Sequence, residues 1–229
     1  MGLSSLALAD DPAGTFNCKG RPALGKELAA EKLAEVQTSY SKINGVSAGF
    51  VQTSFLAALE MSELSRGNVW FSKPGKMKWH YSEPEEQVFI INKDSLWLYQ
   101  PEDNQVLVDN LEAMLLSDLP VSFLLGIGDI GKQFNIEESC KSTDGYIFTL
   151  KGKNKADDSL ESFKLLVEGS TYYPIGASIK DISGNITSII FDKPNYSEQL
   201  ASSNFEIDFP SGTDVYDRRD KPPVSEDVR

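Results

Sequence analysis

A single histidine, His80, and two cysteines, Cys18 and Cys140, are all that 229 residues offer in imidazole and thiol groups. The cysteines form no C-x-x-C pair and His80 has no second histidine. A zinc cluster, a two-histidine metal site and a Ser-His-Asp arrangement therefore lack support. Long apolar runs are missing too, since no stretch approaches the roughly 18 consecutive apolar residues of a membrane-spanning helix. Basic side chains are few, 22 Lys and Arg against 34 Asp and Glu, for a net charge of -12. Such a chain repels phosphate backbones and anionic head groups at long range, which disfavours nucleic-acid binding. Lipid is not excluded as a ligand, because acyl chains are captured by apolar area while a head group stays in water.

What is present fits one ordinary core, with 40% apolar and 24% charged residues. From Leu24 to Ile43, Leu28, Leu33, Val36, Tyr40 and Ile43 recur near helical spacing and Asn44-Gly45 ends the pattern, which predicts one amphipathic helix. After Val46 the period drops to two. Strands are expected near 46–56, 62–72, 76–83, 86–92, 95–100, 104–108, 133–141, 145–152, 161–168, 175–183, 186–193 and 204–208. Tight turns such as "NKDS", "PEDN", "STDG" and "SGN" join neighbouring antiparallel strands, so a single meandering sheet is expected. In 111–131 Ser117 or Asp118 can cap a short helix with Pro120 in its first turn and Gly126 at its end. About a dozen strands with so few helices predict a mainly β, α+β fold, an incomplete, strongly curved antiparallel barrel with helices over its opening and an apolar cavity inside.

Three segments are expected: 1–22 as signal remnant and N-terminal arm, 23–217 as one domain, and 218–229 as a flexible charged tail. Ala7 and Ala9 resemble the A-x-A end of a cleaved secretory signal, the alternative being an ordinary disordered start. An exported protein suits a Cys18–Cys140 disulfide pinning the arm to the sheet, the alternative being two free thiols.

Other patterns dissolve on inspection. "GIGDIG", with Gly126, Gly128 and Gly131, satisfies G-x-G-x-x-G, but a strand-period segment follows where a phosphate loop needs a helix. "SYSK" at 39–42 lacks its S-D-N and K-T-G partners. The acids at Glu83, Glu85, Glu86, Asp157 and Asp158 lie in turns without calcium-loop spacing. "NIT" at Asn185 and "NYS" at Asn195 match the glycosylation pattern, which is common by chance.

The stretch "GNVWFSKPGKMKWHYSEPEEQVFIINKDSLWLYQPEDNQV", residues 67–106, carries Trp70 with Pro74, Trp79 with Pro84, and Leu96, Trp97 and Tyr99 with Pro101. This order resembles the periplasmic carrier proteins that ferry lipoproteins to the outer membrane of Gram-negative bacteria. "VSAGFVQ", "DLPVSFLLG" and "FEIDFPSGTDVYD" extend the similarity over roughly 27–217. The resemblance implies a half-barrel with a helical lid, no cofactor and no enzymatic activity of its own, and acylated lipoprotein as cargo. It also implies an inner-membrane ABC transporter as donor and an outer-membrane acceptor, with the carrier a monomer in the periplasm. Family members carry arginine before the strand proline as a lid latch. This chain has Lys73 there, a candidate lid contact without the guanidinium fork, or else a solvated edge charge.

Strand parity sends Met77, Trp79 and Tyr81 to one face and Lys76, Lys78 and His80 to the other. The expected acyl-chain cavity is lined by Val69, Phe71, Met77, Trp79 and Tyr81, with Leu119, Phe123 and Leu124 from the lid. A plain packed core is the alternative reading of the same side chains. A half-barrel that binds another lipid or a glycolipid, or serves as a periplasmic sensor, is the rival function.

Overall fold

The structure, a computed structural model, describes residues 12–92, 95–110, 129–153, 160–196 and 199–219. Twelve strands form one open, curved sheet. In chain order they are β1 (Gly45–Leu56), β2 (Met61–Ser72), β3 (Lys76–Glu83), β4 (Gln87–Asn92), β5 (Ser95–Gln100), β6 (Gln105–Asn110), β7 (Phe134–Lys141), β8 (Gly145–Gly152), β9 (Leu160–Glu168), β10 (Pro174–Asp181), β11 (Ile186–Asn195) and β12 (Asp214–Asp217). Their spatial order is β12-β6-β5-β4-β3-β2-β1-β11-β10-β9-β8-β7. Two hairpin meanders, β1–β6 and β7–β11, are thus zipped together by the antiparallel pair β1·β11, which matches Phe50 with Phe191 and Gln52 with Ile189.

Three helices accompany the sheet among the described residues: α1 (Pro12–Thr15), α2 (Lys26–Ser41) and α3 (Ile130–Gln133). The expected N-terminal helix is α2, one turn shorter than the periodicity suggests. Its buried stripe is Ala29, Leu33, Val36 and Tyr40, at steps of four, three and four that return side chains to one face. Leu28 is 39% exposed and does not belong to it. The stripe lies across the inner face of the sheet and joins Phe50, Phe71, Trp79, Phe148, Leu150, Phe163 and Leu165 in the main core.

The outer face is also apolar and is covered by the two chain ends. Phe16 and Cys18 pack against Cys140, Ile147 and Leu166 on β7–β9. Room for the arm comes from Gly176, where a Cβ would stand 3.1 Å from Phe16 Cζ and 2.7 Å from Ile190 Cδ1. Cys18 and Cys140 are joined by a disulfide across 122 residues of sequence, and Lys141 N donates to Pro22 O beside it at 2.9 Å.

Over β3–β6 the C-terminal segment does the same work. A 3-10 turn at Ser202–Phe205 buries Phe205, Phe209 sits 6.1 Å from the Tyr99 ring, and Asn92 Nδ2 donates to Phe205 O at 3.3 Å. The strand expected near 204–208 is therefore this turn and its extension. The true terminal strand is β12, which pairs in parallel with β6 because the covering segment has first crossed the outer face. Arg218 N donates to Val108 O at 2.8 Å, and the Arg219 guanidinium lies 5.8 Å over Trp97, so contact with the sheet continues to residue 219.

Because the disulfide closes a loop of this length, reduction should cost about 2–5 kcal/mol of stability, chiefly by freeing the unfolded chain. The expected outcome is a lower urea midpoint for Cys140→Ser, or for wild type in reductant. Equal midpoints with and without reductant would show that the arm is held by Phe16 packing alone.

Candidate ligand-binding site

The row of side chains singled out on β2 and β3 converges on the inner face beneath α2. Val69, Phe71, Met77 and Trp79 are buried and Tyr81 is half-buried. Pairing explains the convergence: β2·β3 sets Val69 opposite Trp79 and Phe71 opposite Met77, and β3·β4 sets Trp79 opposite Phe89. Neighbouring strands add rings that the alternation within β2 and β3 does not reveal. Phe50 lies 4.9 Å from Trp79 and 5.1 Å from Tyr81, Phe191 lies 6.5 Å from both Phe71 and Trp79, and Phe89 lies 5.9 Å from Tyr81.

One glycine makes this layer possible. Gly67 sits opposite Tyr81 and beside Phe50, and a Cβ there would stand 2.9 Å from Phe50 Cε1 and 1.9 Å from the His80 carbonyl oxygen. Only a residue without a side chain lets the Phe50 ring cross that strand.

Among the described residues these side chains touch one another on the inner face. The rings meet edge to face or tilted at ordinary packing distances, and the void left among Tyr40, Val46, Phe71, Phe191 and their neighbours is about 10 Å³. That is about the space of one water probe, far too small for an acyl chain. Two larger spaces flank the layer. A groove of about 960 Å³ runs between α2 and the β7 edge, lined by Ala30, Leu33, Ala34, Phe134 and Ile136 among others. An open cleft of about 450 Å³ lies toward the β1–β2 turn, lined by Gln52, Glu63, Tyr81, Glu85 and Phe89 among others. The alanines at 29, 30 and 34 on α2 are a readable signal for the groove, because small side chains leave space where a leucine would close it. Leu119, Phe123 and Leu124 lie outside the described residues.

Polar atoms within the layer are few. Tyr81 Oη donates to Gln52 Oε1 at 2.9 Å, and burial pushes its hydroxyl up to about 12. Trp79 Nε1 is buried without an acceptor in hydrogen-bond geometry. On the opposite face His80 Nε2 pairs with Glu86 Oε1 at 3.0 Å, and Lys76 Nζ donates to Ser202 Oγ at 3.1 Å, so these outward residues serve the covering segment and the surface. Among the described residues no cluster of three or more metal-ligating side chains occurs, and no helix is long and apolar enough to cross a membrane.

Lys73 reaches the last turn of α2. Its ammonium donates to the Tyr40 carbonyl and lies 3.5 Å over the centre of the Tyr40 ring. A cation suits this place, where the helix dipole is negative, and the same Tyr40 carbonyl also accepts from Ile43 N at 3.1 Å. Desolvation nevertheless pulls the ammonium down to about 8.

A family model described as outer membrane lipoprotein carrier protein LolA matches residues 41–208. The chain belongs to this family. It is 29% identical over 201 residues to an outer-membrane lipoprotein carrier protein of Chromohalobacter salexigens, covering 84% of this chain and 94% of the relative. A Pseudomonas paraeruginosa protein of the same name is 30% identical over 200 residues, covering 84% and 93%. Among solved structures, an uncharacterized conserved protein from Thermus thermophilus shares the fold with a TM-score of 0.54 at 14% identity, over 83% of this chain and 99% of that one.

Since Met77 and Trp79 are buried, Met77→Glu or Trp79→Glu should cost several kcal/mol through an unpaired buried charge. Circular dichroism should show loss of cooperative unfolding or a large fall in midpoint. A folded variant of unchanged midpoint would restore the open-hollow description. Lys73 gives a second test. Its folded pKa of about 8 lies below the ordinary 10.5, so between these values the unfolded chain binds more protons and this residue's contribution to stability rises with pH. Wild type should therefore gain on Lys73→Met as pH goes from 7.5 to 9.5, roughly the span before free tyrosines titrate, in urea melts of both proteins. Parallel curves would mean that the lysine is solvated.

Proposed function

We propose that this protein is a periplasmic carrier that binds the acyl chains of lipoproteins beneath α2. It would take its cargo from an inner-membrane ABC transporter and pass it to an outer-membrane acceptor, acting as a monomer that reaches the periplasm behind a cleaved signal peptide. The observation that carries this reading is the continuous aromatic layer of Phe50, Phe71, Trp79, Tyr81, Phe89 and Phe191 on the inner face of the sheet, in a core shared with α2, in a chain of the lipoprotein carrier family.

Acyl chains enter by replacing the roof. Each methylene taken from water is worth about 0.8 kcal/mol, and the Leu33, Val36 and Tyr40 contacts given up by α2 offset part of that gain. Lys73 then acts as the latch at the helix end, broken when α2 lifts, and Leu119, Phe123 and Leu124 add the rest of the wall. The carrier contributes binding alone; the energy for loading comes from the transporter.

Organic-solvent extraction of protein purified from the periplasm, followed by mass spectrometry, tests the cargo. Triacylated lipoprotein is the expected content, and glycolipid or phospholipid in its place would overturn the assignment. Lys73→Met, with the latch removed, should release bound lipoprotein several-fold faster to acceptor, a rate followed by transfer of labelled cargo. An unchanged rate would remove Lys73 from the mechanism.

A further inference from the structure

Five large apolar side chains stand exposed at one end of the sheet: Leu56 at 40%, Leu59 at 63%, Met61 at 60%, Leu64 at 44% and Ile182 at 68%. They come from the β1–β2 turn and the β10–β11 turn, which strand pairing brings side by side through Phe55 opposite Ile186. The two turns are locked together. Ala57 N donates to Asn185 Oδ1 at 3.0 Å, while Asn185 donates through its backbone N–H and Nδ2 to the Asp181 carboxylate at 2.9 and 2.8 Å. A 3-10 turn at Ala57–Leu59 closes with Glu60 in the left-handed region, φ 51, a conformation that disfavours a side-chain-bearing residue. The tip is thus a fixed apolar surface and not a loose loop, which lowers the ordering cost of docking.

Charge narrows the partner. Residues 56–65 and 181–187 contain no lysine or arginine, while Glu60, Glu63 and Asp181 lie within them. The adjoining cleft of about 450 Å³ is lined by Glu63, Glu83 and Glu85, of which Glu83 is paired with Arg66 at 2.8 Å. An acidic rim on a chain of net charge -12 is repelled by anionic lipid surfaces. It is complementary to a protein surface in which arginines or lysines border an apolar groove. The same cleft is lined by Tyr81 and Phe89 of the aromatic layer, so whatever docks on the tip faces the approach to that layer.

We propose that this tip and its acidic cleft form the docking surface for a protein partner presenting an apolar groove with a basic rim. Resting on the carrier reading, that partner is a membrane protein with which cargo is exchanged. Leu59 and Ile182 are the anchors and Glu63 and Glu85 supply the steering charge.

The test uses the full chain with the transporter and the acceptor of its own organism, each purified in detergent and immobilised. Leu59→Asp/Ile182→Asp should weaken binding to at least one of them tenfold or more. Glu63→Lys/Glu85→Lys should weaken the same interaction mainly at low salt, with both variants keeping the wild-type melting temperature and lipoprotein content. Wild-type affinity in both variants would overturn the proposal. So would wild-type flotation with phosphatidylcholine vesicles that Leu59→Asp/Ile182→Asp abolishes, or a concentration-dependent dimer lost in that variant. Wild type that contains lipoprotein yet binds neither membrane protein overturns the docking surface alone, whereas wild type without lipoprotein brings down the carrier reading and the proposal with it.

Discussion

A twelve-stranded sheet with apolar side chains on both faces cannot leave either face to water, and every other feature of this fold answers that constraint. The β1·β11 seam fuses two meanders into one wide surface, so the area to be covered is larger than two separate hairpin stacks would present. The chain solves the outer face with its own ends: Phe16 and the disulfide on one half, Phe205 and Phe209 on the other. Among the described residues the inner face is met by α2, through a buried stripe of four residues, and by Ile130 of α3.

The asymmetry matters more than the coverage. The outer cover is fastened by a covalent bond, backbone hydrogen bonds and a twelfth strand, so it opens only with the sheet. Among the described residues α2 is fastened by side-chain contacts, by Gln37 Oε1 accepting from Ile130 N at 2.9 Å, by Lys32 Nζ donating to Tyr172 Oη at 3.1 Å, by Lys73 at the helix end, and by Leu24 N donating to Ser139 O at 3.0 Å just before it. Elements held by few directional bonds are the ones that open locally at low free-energy cost.

Strand positions are legible in the sequence because a period of two survives wherever one face differs from the other, and β1 to β11 fall within a residue or two of that alternation. The terminal strand is not, because Asp214–Asp217 is short, exposed and paired in parallel, three properties that erase the alternating signal. Parity correctly groups Met77, Trp79 and Tyr81, yet parity says which way a side chain points and nothing about what fills the space in front of it. Phe50, set over Gly67 by the β1·β2 pairing, and Phe191, brought over by the β1·β11 seam, meet those side chains, and the contribution of Phe191 depends on a pairing between segments about 140 residues apart. Periodicity misplaces Leu28 in α2: leucine is the more hydrophobic choice, but it is Ala29 whose side chain faces inward and is buried, while Leu28 is exposed.

Under the proposed carrier function, the packed inner layer would set the affinity. If the acyl site were an open greasy hollow, three long chains at about 0.8 kcal/mol per methylene would be held too tightly to hand on. When the same chains must displace a helix that already buries Leu33, Val36 and Tyr40, the measured affinity is the difference between two apolar contacts. The competent state also has to be populated from a closed one, which reduces apparent affinity by the fraction open. Release is then assisted by the protein's own side chains, which reclaim the aromatic layer as the cargo leaves. On this view Phe50, Phe71 and Trp79 pack against one another because they serve as the competitor for the site they form.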